Sequence, residues 1–181
     1  MKFNDPKIRE EAKKTLKKEL SLSNINQVPE IKKVVISSGI GVHKEDKEAI
    51  KKITEEMRIF CGQAPKINLS RKSVSAFKLR LNQPVGLTVT LRGKRMHDFL
   101  YKLVSVALPR VRDFKGLKKS SFDGHGNYSI GIREHIIMPE VKYENADNVF
   151  GFQVNIFTST KNDEQALSLL KLLGFPFERE Q

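Results

Sequence analysis

The alternation of apolar and polar residues along the chain predicts four helices and five strands. Apolar residues recur every three to four positions in an amphipathic helix and every second position in a half-buried strand. These two periods give the order helix, strand, helix, strand, strand, helix, strand, strand, helix. The predicted helices cover 5–20, 46–61, 95–108 and a segment capped at 161–163 that ends at 173; the predicted strands cover 31–38, 66–69, 85–92, 128–133 and 150–159.

This order predicts an α+β fold with a mixed, mostly antiparallel sheet, helices packed on one face, and long basic loops. A chain of 181 residues is long enough to bury a sizeable core, so we expect a single domain over residues 1–181. Two stretches have no hydrophobic period. Residues 70–84 are expected to form a long loop or a splayed hairpin, and residues 109–126 a long functional loop or an irregular excursion.

The basic residues are concentrated in the middle of the chain. The formal net charge is +12, and residues 57–97 contain nine Lys and Arg side chains but no Asp or Glu. An ordinary protein surface mixes charges of both signs, whereas a surface that binds a polyanion avoids carboxylates. We therefore expect one face of the protein to bind the phosphates of a nucleic acid.

Several kinds of chemistry are disfavoured by the composition. Cys61 is the only cysteine, which excludes an intrachain disulfide and a cysteine-based metal cluster. The four histidines are too widely spaced for a dedicated metal site, and no phosphate-binding glycine loop is present. No apolar run reaches the roughly 18 residues that a membrane span needs. We expect no metal, cofactor, small-molecule substrate or membrane contact.

The stretch 70–92 combines basic, hydroxyl and aromatic side chains. Phe77 lies between two basic pairs and has no periodic reason to be buried, so it can stack on a base or a ribose. Thr88, Thr90 and Arg92 alternate with apolar residues, and such a row suits contacts to sugar and phosphate. A basic loop can also be merely solvated, and an exposed Thr is also favourable for strand formation.

The stretch 109–126 repeats the combination of basic residues with an aromatic ring. Its candidate contact residues are Arg110, Arg112, Phe114, Lys115, Lys118 and Lys119. Ordering a long loop is unfavourable unless the loop is anchored or used, so we expect it to contact a large partner. The alternative is a partly ordered surface loop.

Short motifs that run in order from Gln27 to Phe177 carry a family resemblance. They are Gly62-Gln63-x-Pro65, Arg71-Lys72-Ser73, Val89-Thr90-Leu91-Arg92, Leu108-Pro109-Arg110-Val111-Arg112-Asp113-Phe114-x-Gly116, Phe122-Asp123-Gly124-x-Gly126-Asn127-Tyr128 and Leu172-Leu173-Gly174-Phe175-Pro176-Phe177. On these motifs the chain resembles bacterial-type large-subunit ribosomal protein five, which binds 5S rRNA. The block from Leu108 to Tyr128 is the most specific part.

The resemblance implies a structural constituent of the large ribosomal subunit, located in the central protuberance. Its implied partners are 5S rRNA, large-subunit rRNA, P-site tRNA and neighbouring ribosomal proteins, including a protein of the small-subunit head that forms a bridge between the subunits. The resemblance also implies a non-catalytic protein that is cytoplasmic and bound to the ribosome.

The resemblance further implies which residues make these contacts. In the family, 5S rRNA is contacted by an Asn at the end of the first strand, the Gln of Gly-Gln and the Thr of Val-Thr-Leu-Arg. With their neighbours, the expected 5S-binding residues are Ser37, Gln63, Arg71, Lys72, Thr88, Thr90 and Arg92. The expected tRNA-contacting residues are Ser75, Phe77, Lys78, Arg80 and Asn82. Contacts to other rRNA or to the subunit bridge are assigned to the basic residues and Phe114 of the stretch 109–126.

Two positions depart from the family motifs, and two other functions stay open. Ser37 replaces the usual Asn, and His125 replaces an Arg whose charge is permanent. One alternative is a free-standing RNA-binding regulator. The other is an RNA-modifying or phosphate-handling enzyme that uses His97, Asp98 or Asp123, although these residues lack a recognisable nucleophile context or cofactor loop.

Overall fold

The computed structural model describes residues 6–43, 46–141 and 149–178. Within these ranges the helices are α1 (Pro6–Glu19), α2 (Lys47–Cys61), α3 (Gly93–Lys102) and α4 (Asp163–Leu172), and the strands are β1 (Ile31–Gly39), β2 (Lys66–Leu69), β3 (Pro84–Leu91), β4 (Tyr128–Ile132) and β5 (Phe152–Thr158). The predicted order of elements and the α+β class are confirmed.

The strands form one sheet in the order β2-β3-β1-β5-β4. The short strand β2 lies at an edge and pairs antiparallel with β3, which places Lys66 opposite Thr88 and Asn68 opposite Gly86. Antiparallel sheets commonly bury one side and leave the other accessible. The outward side is therefore available for contacts with a partner.

The chain separates into two compact units. Unit 1 consists of Met1–Val34, Arg92–Ile130 and Asn155–Gln181, and unit 2 consists of Val35–Leu91 and Gly131–Val154. The expectation that the whole chain is a single domain stays a prediction.

In unit 1, α1 and α4 pack around a small apolar cluster of Leu16, Val28 and Leu169. In the sequence, Ile8, Ala12, Leu16 and Leu20 recur every four residues and predict an apolar stripe on this helix. Leu16 is fully buried, as such a stripe requires. The side chains of Ile8 and Ala12, which belong to the same predicted stripe, lie outside the described residues. Burial of this cluster holds the first and last helices of unit 1 together.

The predicted helix 95–108 is divided into three consecutive helical segments of different geometry. α3 ends at Lys102, a π-helical segment spans Leu103–Ala107, and a 3-10 turn spans Leu108–Arg110. Pro109 lacks a backbone N–H, and in a regular α-helix its ring would clash with the carbonyl group of the residue four positions earlier. The regular helix therefore cannot continue through Pro109.

In unit 2, α2 is capped by Asp46 at its start and by Gly62 at its end. The Asp46 carboxylate accepts hydrogen bonds from two backbone N–H groups of the first turn, and Gly62 ends the helix with φ 67°. Phe60 is fully buried, with its ring centroid 5.2 Å from that of Phe152. Cys61 is buried beside it, as expected for a packed thiol.

Two ionisable side chains are buried next to each other in unit 2. His135 Nε2 lies 3.1 Å from Glu56 Oε2, at an ion-pair distance but without hydrogen-bond geometry. The backbone N–H of Phe150 donates to His135 Nδ1 over 3.3 Å, and the two rings stack at 4.0 Å. Burial raises the pKa of Glu56, against the opposing effect of Lys52, and lowers the pKa of His135.

The buried His135 predicts a pH dependence of stability. Its pKa is lower in the folded chain than the ordinary 6.5, so below that pH the unfolded chain takes up a proton that the folded chain does not. The contribution of His135 to the free energy of unfolding should be complete above pH 6.5 and be lost as the pH falls through the folded-state pKa. In urea unfolding, the free energy of unfolding of His135→Phe should fall less than that of the wild type as the pH is lowered from about 7.5 to about 5.

Phe150→Leu is the control for this experiment, because it removes the stacked ring and keeps the titrating imidazole. It should lower stability at every pH and retain the slope near pH 6.5. The raised pKa of Glu56 has the opposite effect on stability. Just above pH 4.5 the folded chain takes up a proton that the unfolded chain does not, and this favours folding. An unchanged slope in His135→Phe would contradict the assignment.

Candidate nucleic-acid interface

The outward side of β3 carries hydroxyl groups. Leu87, Val89 and Leu91 are buried, whereas Thr88 is partly exposed and Thr90 is exposed. This is the alternation that the sequence predicts, because successive side chains of a strand point to opposite sides. The two hydroxyls therefore point away from the core and towards solvent.

The neighbouring strand β1 alternates in the same way. Val34, Ile36 and Ser38 are buried, and Ser37 is partly exposed between them. Ser38 donates from Oγ to the carbonyl of Gly151 over 2.7 Å, which accounts for the one polar side chain on the inner side. Ser37 is thus the serine that can reach a partner, as the resemblance implies.

Two amide side chains are hydrogen-bonded to β3. Gln63 donates from Nε2 to the backbone oxygen of Thr90 over 3.4 Å, and Asn68 donates from Nδ2 to Thr88 Oγ1 over 2.5 Å. The structure thus brings the expected residues Gln63, Thr88 and Thr90 together. Asn68 was missed because no motif marks it. In the sequence, only its position in the alternating strand β2 suggests that Asn68 faces outward. The pairing of β2 with β3 is needed to show which residues it faces.

Residues 70–83 form a hydrogen-bonded hairpin, which decides between the two expectations for this stretch. Its base is closed by bonds from the Ser70 N–H to Gln83 O (2.8 Å) and from the Asn82 N–H to Ser70 O (3.1 Å). Nearer the tip, Val74 and Leu79 exchange two backbone bonds of 2.9 and 3.1 Å. We call residues 70–83 the basic hairpin.

The expected contact side chains of the basic hairpin are exposed. Phe77 is 75% exposed, as a residue that stacks on a base or ribose would have to be. Arg71, Lys72, Ser75, Lys78, Arg80 and Asn82 are also exposed. Lys78 and Asn82 have positive φ angles of 48° and 63°, which produce the sharp changes of direction in the hairpin.

In unit 1, the stretch 109–126 is irregular but anchored. The Leu117 N–H donates to Pro176 O over 2.7 Å, and the Glu178 N–H donates to Leu117 O over 3.1 Å. The hydroxyl of Tyr128 donates to Lys118 O over 2.7 Å, and burial raises the pKa of Tyr128 to about 12. Its basic residues Arg110, Arg112, Lys115, Lys118 and Lys119 are exposed, and Phe114 is partly buried. Arg92, the last member of the expected 5S set, is also exposed.

Asp123 has a structural role in the turn that follows. Its carboxylate accepts bonds from the His125 N–H (2.8 Å), the Asn127 N–H (3.0 Å) and Asn127 Nδ2 (2.7 Å). Desolvation acts to raise the pKa of Asp123, but these hydrogen bonds outweigh it and lower the pKa. Asp123 therefore organises a turn that presents His125 to solvent. Its carboxylate oxygens are used in this turn, which is a structural role and not a catalytic one.

A second carboxylate holds the same turn from outside. Asp163, at the start of α4, accepts bonds from the Gly124 N–H (3.1 Å) and the Gly126 N–H (2.7 Å). Gly126 has φ 77°, and a Cβ atom there would collide with the carbonyl oxygen of Thr160. The sequence does not mark Asp163 as part of this turn, because Asp163 lies far along the chain and also belongs to the start of a helix.

Few features of the described residues support the alternative that the chain is an enzyme. His97 and Asp98 are both partly buried on α3. Within the same described residues, no three His, Cys, Asp or Glu side chains are grouped as metal ligands. In that part of the chain, no helix has the length and apolar character needed to cross a membrane.

An outward row of hydroxyls and amides, with a basic hairpin in the same unit, is the kind of surface that contacts folded RNA. Comparison with known proteins agrees and defines the class as a structural protein of the large ribosomal subunit. Residues 24–80 match the family model described as ribosomal protein L5, and residues 84–177 match the model that describes the C-terminus of the same ribosomal family. The chain belongs to the ribosomal protein L5 family.

Individual relatives are similar over nearly their whole length. The large ribosomal subunit protein uL5 of Halothermothrix orenii is 47% identical, covering 94% of this chain and 96% of the relative. The uL5 protein of Thermus aquaticus is 48% identical, covering 94% and 93%. The uL5c protein of Gracilaria tenuistipitata var. liui is 46% identical, covering 91% and 92%.

Family membership confirms several expectations from the sequence. The chain is a constituent of the large ribosomal subunit, it is bound to the ribosome, and it functions in translation as a structural protein that is not an enzyme. The roles of individual residues stay predictions.

The Asp163 carboxylate is expected to stabilise the turn at 123–127. Asp163→Ala removes two charge-assisted hydrogen bonds from the Gly124 and Gly126 N–H groups, and should lower the free energy of unfolding by about 2 kcal/mol. Urea unfolding measures the loss, and amide hydrogen exchange at the two glycines localises it.

Glu164→Ala is the matched control, because Glu164 is an exposed acidic residue of the same helical turn. Its loss should lower the free energy of unfolding by at most about 0.5 kcal/mol through the helix dipole. Equal losses in the two variants would show that Asp163 acts only on the helix.

Proposed function

We propose that the chain binds 5S rRNA through the outward side of the strands of unit 2. The observation that carries this proposal is the hydrogen bond between Gln63 and Thr90, which joins two of the expected contact residues on the solvent side of β3. Ser37 projects from the outward side of β1, and Thr88 lies beside Thr90 on β3. Together they form a polar strip on the outward side of these strands.

The energetics of such a contact divide between charge and hydrogen bonding. Arg71 and Lys72 are exposed on the basic hairpin of unit 2. Arg92, which belongs to unit 1, is exposed and is a proposed contact residue in its own right. Neutralising backbone phosphates and releasing their counterions supplies most of the affinity in this kind of complex. Hydrogen bonds from Ser37, Gln63, Thr88 and Thr90 to sugar and phosphate would fix the register, and the shape of the RNA would supply specificity.

We propose that the basic hairpin contacts P-site tRNA. Its hydrogen bonds make it a stiff projection rather than a disordered loop, because both its base and its tip are closed by backbone pairs. It carries an exposed aromatic ring and exposed cations, which suit stacking on a base and neutralisation of phosphates. Its candidate contact residues are Ser75, Phe77, Lys78, Arg80 and Asn82.

We propose that the stretch 109–126 of unit 1 contacts large-subunit rRNA or a protein of the small-subunit head. Its backbone is anchored through Leu117 and Lys118, while its basic side chains are exposed. An anchored backbone lowers the entropy that is lost when these side chains bind a partner. The contact residues proposed are Arg110, Arg112, Phe114, Lys115, Lys118 and Lys119. All of these contacts would lie in the central protuberance of the subunit.

Arg71→Ala tests the phosphate-binding part of the proposal. In filter binding or fluorescence anisotropy with a 5S rRNA transcript, the slope of log K against log salt should become shallower by about one unit. The reason is that one phosphate contact, with its released counterion, is lost.

Arg58→Ala is the matched control, since Arg58 is an exposed arginine of unit 2 that pairs with Glu55 on α2. It should leave the slope unchanged. A wild-type chain that is folded but ignores 5S rRNA at low salt would overturn the proposal. A weaker Arg71→Ala complex with an unchanged slope would show that Arg71 acts through the fold.

The triple variant Phe77→Ala, Lys78→Ala, Arg80→Ala tests whether 5S rRNA and tRNA are bound by different surfaces, namely the outward side of the strands and the basic hairpin. It should retain 5S binding within about twofold, because it leaves the outward strand residues intact. Ribosomes reconstituted with it should bind P-site tRNA more weakly, as measured by tRNA dissociation rates. Loss of 5S binding in this variant would contradict the separate role of the basic hairpin.

A further inference from the structure

The pairing of β2 with β3 brings Asn68 into the outward row of side chains. Asn68 lies directly opposite Gly86, and its amide reaches diagonally to Thr88. Diagonal neighbours in an antiparallel pair are within reach of longer side chains. Gly86 has no side chain to obstruct this path, and a Cβ atom there would lie 3.1 Å from the backbone oxygen of Ser38.

This hydrogen bond fixes the direction of the Asn68 amide. An amide side chain has two N–H donors at one end and a carbonyl acceptor at the other. Since Nδ2 of Asn68 bonds to Thr88 Oγ1, Oδ1 is the end that faces away from Thr88. Both residues are partly exposed, so the Asn68 amide lies on the solvent side of the strand pair.

The same reasoning assigns a direction to the hydroxyl of Thr88. Its oxygen accepts the bond from Asn68, so its own hydrogen takes no part in that bond and points away from Asn68 Nδ2. Gln63 repeats the pattern, because its Nε2 is bonded to the backbone oxygen of Thr90 and Oε1 is its other end. The strip therefore presents amide oxygens as acceptors and the Thr88 hydroxyl as a donor.

An amide oxygen cannot form a hydrogen bond with a phosphate, because a phosphate at neutral pH offers only acceptor oxygens and carries negative charge. The donor groups of RNA are the ribose 2′-hydroxyl and the amino and imino groups of the bases. A fixed amide oxygen thus selects for one of these groups and against the phosphate backbone.

We propose that Asn68 is a specificity-determining residue of the RNA-binding surface, whose Oδ1 accepts a hydrogen bond from a ribose 2′-hydroxyl or a base amino group and is held in that orientation by Thr88. The proposal rests on the proposed binding of 5S rRNA. It assigns a role to a residue outside the family motifs, and it gives Thr88, already a proposed contact residue, the further role of positioning Asn68.

The test is analogue interference with 5S rRNA transcripts. One pool carries randomly placed 2′-deoxynucleotides, a second carries inosine in place of guanosine, which removes the base amino group, and a third carries phosphorothioates alone. Each pool is selected for binding by the wild-type chain, by Asn68→Ala, by Thr88→Val and by Ile67→Ala. Ile67 is the matched control, because it is an exposed residue of β2 that points to the opposite side from Asn68.

Asn68→Ala should weaken binding by about fivefold, the factor of one ordinary hydrogen bond. The wild-type chain should show interference at a 2′-deoxy or inosine position to which Asn68→Ala is insensitive. Interference in the 2′-deoxy pool identifies the ribose as the donor, and interference in the inosine pool identifies the base. Thr88→Val should weaken the same interference, and Ile67→Ala should bind as the wild type does.

Wild-type affinity of Asn68→Ala would overturn the inference, and so would weaker binding with an unchanged interference pattern. The inference would also fail if the position lost in Asn68→Ala appeared in the phosphorothioate pool alone. Circular dichroism and thermal unfolding establish that each variant is folded, and Thr88→Val provides an independent route if Asn68→Ala is not. A folded wild-type chain that does not bind 5S rRNA overturns the proposed function as well, whereas loss of the Asn68 signal alone leaves that function intact.

Discussion

The alternation of β3 between a buried apolar side and an outward polar side is the constraint on which the proposed RNA-binding surface depends. Leu87, Val89 and Leu91 are almost completely buried, and full burial of such a side chain contributes about 1.5–3 kcal/mol. A slip of one residue in the pairing would expose all three and turn Thr88 and Thr90 inward. The same burial that stabilises the strand therefore holds the hydroxyls on the solvent side.

The loops that carry the proposed contacts are ordered by polar side chains within their own unit. In the basic hairpin, Ser73 Oγ accepts from the Leu81 N–H over 2.9 Å, and Gln83 Oε1 accepts from the Arg80 N–H over 2.8 Å. These bonds satisfy backbone groups that a long loop would otherwise leave to water. The hairpin can therefore expose an aromatic ring and several cations without losing its conformation, which reduces the entropy lost on binding.

Charge and hydrogen bonding have separate places in this molecule. The stretch 57–97 contains no carboxylate, so an approaching phosphate meets no like charge from it. Three carboxylates in other stretches have structural roles: Asp123 and Asp163 hold a turn in unit 1, and Glu56 is buried beside His135 in unit 2. Attraction to a polyanion and the stability of the fold thus rely on different residues, which allows each to be changed independently.

The sequence by itself determined the order of helices and strands, the α+β class, the family and the position of the basic stretches. These properties follow from local periodicity and from motifs that are contiguous in the chain. Only the tertiary structure decided that Asn68 bonds to Thr88 and that Asp163 holds the Gly124–Gly126 turn. Each of these contacts joins segments that lie twenty or more residues apart. Local periodicity carries no information about which distant segments pair, because that choice is made by the strand register and by packing of the whole unit.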